Sequence, residues 1–165
     1  MDIFYWSPFI SKVATISSAI RSAESLVKYS QKQINVSIID SIGEWEEYKD
    51  IINPKIKILK LNNKNYYKRL PRGSYIKSRL SYLIIFFLKF NKLKKLINKK
   101  KPNFLIIHLM TVLPIFLTLF FKNNTKIILR ISGLPKLNFL RYFFWKMFAN
   151  KIYKVTCPTV GTYNY

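Results

Sequence analysis

Short β-rich runs alternating with amphipathic stretches predict an α/β fold, a Rossmann-like three-layer domain whose mostly parallel sheet is covered on both faces. Three observations carry this expectation. Six apolar runs recur along the chain, at Ile3–Trp6, Ile34–Asp40, Ile56–Leu61, Phe104–Leu109, Lys126–Ile131 and Ile152–Cys157. The segments between them are amphipathic, as crossover helices require. The glycines Gly43, Gly73, Gly133 and Gly161 all fall between predicted elements, where turns belong. With 165 residues, residues 1–165 form one domain able to bury about 70% of its unfolded surface. At 50% hydrophobic and 16% aromatic residues, the chain is too apolar to be disordered.

The first strand begins at once. No basic region precedes an apolar stretch at the N-terminus, so no signal peptide is expected. SPFISKVATISS follows, a loop of Ser, Thr and small residues leading into a helix N-terminus, which favours anions. The same hydroxyls would also serve as plain caps. The helix is predicted from Ser17 or Ser18 to about Gln33, with Ile20, Ala23, Leu26, Val27 and Ser30 on its sheet-facing stripe.

After the second and third strands, Asn62 to Gly73 reads NNKNYYKRLPRG, a polar and basic stretch expected to be a mobile loop. The helix predicted from Ser74 to Lys101 places Leu83, Phe86, Phe90, Leu93 and Ile97 on one face and Lys92, Lys95 and Lys99 roughly opposite. Leu80 to Leu88 is apolar all round. Such a helix either lies deep in a core or rests in a bilayer interface with its lysines reaching outward. The interface is favoured, with Lys89, Lys92, Lys95, Lys99 and Lys100 at the membrane surface; a solvated basic face is the plain alternative. The uncharged run Phe104 to Phe121 is long enough to be weighed as a membrane span. Pro114, His108 within the run and the strand that follows favour a buried strand, a turn and a buried helix.

All seven acidic residues lie in the first 50 positions. Of the 29 basic residues, five (Lys12, Arg21, Lys28, Lys32 and Lys49) share that stretch, so 24 uncompensated cations follow Asp50. Self-repulsion on this scale implies a polyanionic partner, whether lipid headgroups, nucleotides or nucleic acid. Cys157 alone forms no internal disulfide, and a single histidine with a single cysteine offers no metal-ligand spacing, so no metal cofactor is expected. A triad built on His108 would need an acid from the first third of the chain, and no motif supplies one. Neither a Walker loop nor a GxGxxG loop is present. Chemistry here would rest on positioning and electrostatics.

In doubly wound sheets ligands bind at the C-terminal ends of the strands. Three such ends carry suitable groups: the loop Ser11, Lys12, Ala14 and Thr15 after the first strand, His108 at the fourth, and Arg130, Ser132 and Gly133 at the fifth. His108 is equally readable as a hydrogen-bonded core histidine. Arg130 has no acid nearby in sequence, which tilts it toward an anionic ligand.

YWSPFIS with the small-residue loop after it, SAESLVKYS, RISGLPKLN and KIYKVTCPT are similar, in order and spacing, to the N-terminal half of bacterial family-four glycosyltransferases of the GT-B fold, enzymes that build surface polysaccharide or lipopolysaccharide. The resemblance runs along essentially the whole chain. It implies an acceptor-side Rossmann-like domain facing a second, donor-binding domain, with a nucleotide sugar as co-substrate and a lipid-linked or glycan acceptor. It further implies that Ser11 to Thr15 approach the donor phosphates and the acceptor, that His108 faces the transferred sugar, and that Arg130, Ser132 and Gly133 line the acceptor side. Family members commonly carry a glycine in the first loop, near the place where this chain has Ala14. The donor domain is expected to be missing after Tyr165, leaving a truncated or split enzyme inactive alone, to which a separately encoded domain would be a further partner. The expected location is cytoplasmic, peripheral on the inner face of the membrane. A basic nucleic-acid-binding module is the main competing reading, less favoured because no DNA or RNA motif appears and the aromatics cluster in predicted core or interfacial helices. A small integral membrane protein is the third.

Overall fold

The computed structural model describes residues 1–108, 113–118, 124–131 and 139–157, without the side chains of Leu140 and Arg141. Ser132, Gly133 and Gly161 therefore lie outside the described residues, as does the run 109–112.

Strands β1 (Asp2–Trp6), β2 (Asn35–Asp40), β3 (Lys57–Lys60), β4 (Phe104–His108), β5 (Lys126–Arg130) and β6 (Ile152–Thr156) form one sheet in the order β3-β2-β1-β4-β5-β6. Every neighbouring pair is parallel. The domain is Rossmann-like α/β, as the alternating pattern predicts, and each predicted run falls on a strand. The continuous apolar sequences of β1, β2 and β4 make sense at the sheet's centre, where both faces are covered and these strands are almost wholly buried. Lysines occupy the edges instead: Lys57 and Lys60 on β3 and Lys154 on β6 are exposed, which discourages pairing with another chain.

Right-handed crossovers place α1 (Ala14–Tyr29) on one face and α2 (Tyr75–Lys100), α3 (Leu113–Leu117) and α4 (Phe139–Phe148) on the other. Phe116 ties the second layer together, its ring centroid 5.7 Å from that of Phe86 on α2 and 6.3 Å from that of Phe148 on α4. No helix among the described residues is long and apolar enough to cross a membrane. The uncharged run gives β4 and the short α3.

Helix α1 starts earlier than Ser17 or Ser18. Its N-cap is Val13, which makes no side-chain cap bond. Beginning there lets Ile16 and Ala19 join Ile20 and Ala23 against the sheet, a burial worth more than one hydroxyl cap of about 1 kcal/mol. Helix α2 starts as expected, with Ser74 Oγ accepting the Lys77 N–H at 3.3 Å. It ends where Lys101 adopts the left-handed conformation (φ 48°).

The facing of α2 differs from the expectation. Ser81, Ile85, Lys89, Leu93 and Ile97 form the buried row, spaced four residues apart. Leu83 is exposed and Phe86 and Phe90 are half-buried. Lys89, expected at the membrane surface, is only 2% exposed. Its ammonium stands 5.3 Å from the Tyr66 ring centroid. Burial first, then the neighbouring Lys92 charge, push it below the ordinary lysine value, while Glu44 and Asp40 pull the other way. Lys92, Lys95, Lys99 and Lys100 are exposed.

The stretch 62–73 is anchored where a mobile loop was expected. The Tyr66 and Tyr67 N–H groups donate to the Ile42 carbonyl at 2.7 and 3.0 Å. Tyr67 is buried in an edge-to-face cluster with Phe9, whose ring centroid also lies 5.1 Å from that of Trp45. Arg72 covers the Tyr67 ring at 4.2 Å. Aromatic packing thus holds a segment that polarity alone marks as loose.

Candidate functional site

Strand order reverses direction between β1 and β4, and the crevice beyond their C-terminal ends is where such sheets accept ligands. Register and pleat fix what faces it. Tyr5 stands opposite Ile106, and Ile106 opposite Ile128. The Tyr5 hydroxyl is 2.8 Å from Ser22 Oγ of α1, so this row points toward α1. Two residues further along, side chains return to the same face. There His108 stands opposite Arg130. Ser7, buried just past the end of β1, continues the same alternation.

The N-terminus of α1 overhangs this row. Ser22 lies eight residues into the helix, roughly 12 Å from its start, whereas Ser7 lies about 7 Å beyond Tyr5 along the strand direction. By this reckoning the first turn of α1, with Ala14 and Thr15, extends past the level of the strand ends and carries the positive end of the helix dipole there. Of the sequence-derived candidates, register brings His108 and Arg130 opposite one another, while Ala14 and Thr15 open α1, the helix that this row faces. Ser11 and Lys12 are exposed at its rim. Ser132 and Gly133 fall outside the described residues.

His108 is 4% exposed. Burial, followed by the Arg130 charge, lowers its pKa to about 4, so the imidazole is neutral at physiological pH. A neutral imidazole both donates and accepts hydrogen bonds, which suits sugar hydroxyls. Burial likewise raises the Tyr5 phenol above its ordinary value, against the Ser22 hydrogen bond and the Arg130 charge. The Arg130 charge acts on both groups. A half-buried guanidinium at a strand end suits a phosphate or carboxylate oxygen. Sequence reasoning overlooked Tyr5, although the YWS end of the first strand contains it; Ser7 opens the SPFISKVATISS loop read as favouring anions.

A second polar cluster closes the end of β2. Glu44 is fully buried, with Oε1 accepting from Ser41 N–H at 3.1 Å and Ser41 Oγ at 2.7 Å and Oε2 accepting from Ile42 N–H at 2.7 Å. Asp40 Oδ1 accepts from Gly43 N–H at 2.7 Å, while Oδ2 is buried with no donor. Burial, with the adjacent Asp40 carboxyl next, pushes Glu44 well above the usual carboxylate range. Gly43 permits this turn, with φ at +93° and Asn65 packed where a side chain would start.

Beyond the end of β3, a cleft of about 310 Å³ is lined by Leu61, Asn62, Asn63, Lys64, Tyr66 and Lys92. It is open, and Lys92 already donates to Asn62 Oδ1. The switch-point crevice has the stronger claim, because there a buried titratable group and a guanidinium stand opposite one another. Among the described residues, no three His, Cys, Asp or Glu side chains are grouped to hold a metal ion.

No family model matches the chain, and no curated protein is similar to it. Among solved structures it is similar to the UDP-GlcNAc 2-epimerase of Methanocaldococcus jannaschii, with 16% identity and a TM-score of 0.45 over 99% of this chain and 40% of that one. The chain thus spans well under half the length of that protein.

Proposed function

We propose that this chain is the acceptor-side, N-terminal half of a GT-B glycosyltransferase, which moves a sugar from a nucleotide-sugar donor to a lipid-linked or glycan acceptor in cell-surface polysaccharide assembly. The observation that carries the proposal is neutral His108 standing opposite Arg130 at the C-terminal ends of β4 and β5, beside the switch point of the sheet. Arg130 and the helix dipole hold an anionic oxygen of the donor or the acceptor. His108, uncharged, hydrogen-bonds hydroxyls of the sugar being moved. The facing half supplies the donor pocket, and transfer requires both halves. The uncompensated lysines hold the enzyme on the cytoplasmic face of the membrane, at about 1 kcal/mol for each one near the anionic surface. No metal takes part in this scheme.

The test pairs this chain with a donor-binding domain and measures transfer. Arg130→Ala is expected to lower the rate at least about tenfold, the loss of a charge-assisted hydrogen bond, and His108→Ala to do so without unfolding the chain. Full activity in both variants removes the assignment. Tighter binding of a single-stranded oligonucleotide than of any acceptor would favour a nucleic-acid-binding module.

A further inference from the structure

The buried row of α2 defines what its opposite side presents. At 100° per residue, the positions half a turn from Ile85 are Ile76, Leu80, Leu83 and Phe87, followed by Asn91, Lys94 and Asn98. The first four are apolar and exposed, Ile76 at 79% and Phe87 at 73%. The C-terminal continuation is polar and cationic, and a shallow groove of about 570 Å³ lies along it between Asn91, Lys94, Lys95, Asn98 and Lys99. Helix α4 repeats the pattern. Phe148 enters the core, and on the other side Phe139, Tyr142, Phe143 and Met147 are exposed around Lys146, with Phe139 at 83%. Phe116 holds both helices in one layer.

We propose that the outer face of the α2–α3–α4 layer is a docking surface for an anionic lipid bilayer. The aromatic and aliphatic rows enter the headgroup–acyl boundary, and the α2 lysines engage lipid phosphates. The proposal deepens the membrane-side reading above by naming the surface that makes the contact. Charge and apolarity together select the occupant. No acidic residue follows Asp50, so this layer holds cations and no carboxylate. A second copy would therefore set like charges against one another across the apolar rows. Nucleic acid would neutralise the lysines but offers no apolar phase to bury Ile76, Leu83, Phe87, Phe139 and Phe143. An anionic bilayer supplies both. Helix α2, roughly 39 Å long with its apolar half at one end, fits lying in the interface and not crossing it.

The experiment is flotation of the full chain with vesicles of phosphatidylglycerol and phosphatidylcholine, or of phosphatidylcholine alone. Binding is expected to be at least about tenfold stronger with the anionic lipid. The exposed double substitution Leu83→Ser/Phe87→Ser is expected to lower it by about tenfold or more, and Lys94→Glu/Lys95→Glu to lower it comparably. Fluorescence of Trp145, on α4, is expected to be quenched by lipids brominated on the acyl chains, with the quenching lost in Trp145→Phe. No flotation, flotation of both variants equal to that of the wild-type chain, or a dimer in ultracentrifugation that Leu83→Ser/Phe87→Ser dissociates would each overturn the proposal. Flotation needs neither donor nor acceptor. Its failure is thus separable from loss of transfer in Arg130→Ala, which leaves this surface intact.

Discussion

Between pH 4.5 and 6.5 two buried groups pull the stability of this domain in opposite directions, and substituting each separately exposes the other. His108 falls from an ordinary 6.5 to about 4 on folding. The unfolded chain therefore binds the extra proton in this window, and stability rises with pH, fully present above 6.5 and lost as pH falls toward 4. Glu44 has the opposite sign. Its folded pKa is raised well above 4.5, so its contribution is full below 4.5 and is lost as pH rises through the folded value. One proton corresponds to about 1.4 kcal/mol per pH unit, so the two slopes nearly cancel where they overlap. Urea unfolding at half-unit intervals of pH measures the difference. Relative to His108→Gln, the wild-type chain is expected to gain about 2 kcal/mol from pH 4.5 to 6.5. Relative to Glu44→Gln, it is expected to lose stability over the same interval. The background from the chain's net charge is common to all three proteins and cancels on subtraction. A flat difference between wild type and His108→Gln would mean that His108 is solvated or already charged, and would refute its assignment as a neutral hydroxyl-binding group.

Two further substitutions test the packing. Lys89→Met keeps the volume and removes a buried ammonium, so stability in urea is expected to be unchanged or higher by about 1–3 kcal/mol, with vesicle flotation unaltered; a loss of flotation would return Lys89 to the surface. Gly43→Ala forces a side chain into a +93° backbone and sets the new Cβ against the Asn65 side chain. Thermal unfolding is expected to show a loss of about 1–3 kcal/mol, and an unchanged midpoint would mean that the Asp40–Glu44 turn relaxes freely.

The sheet was readable in the sequence because parallel strands buried on both faces leave uninterrupted apolar runs. The crossover from β4 to its neighbour β5 then sets His108 opposite Arg130. The facing of α2 was not readable. Leu80 to Leu88 is apolar on every side, so periodicity cannot choose a face, and local contacts choose instead. Ser81 Oγ donates to the Pro71 carbonyl at 2.6 Å and Lys89 lies over Tyr66, which turns Leu83 and Phe87 outward. The start of α1 was missed because serines resemble caps, whereas burial of Ile16 decides the boundary. The pairing of Asp40 with Glu44 lacks any spacing signature distinct from an ordinary acidic turn.

The most direct test of the account is a titration of the isotopically labelled chain with a short-chain prenyl diphosphate sugar, an acceptor mimic, followed by backbone and side-chain NMR. The account requires saturable shifts concentrated at Ser7, Ala14, Thr15, His108 and Arg130, abolished in Arg130→Ala. Shifts confined to the outer faces of α2 and α4, or none at concentrations that saturate vesicle binding, would contradict the assignment of the switch-point crevice as the acceptor site.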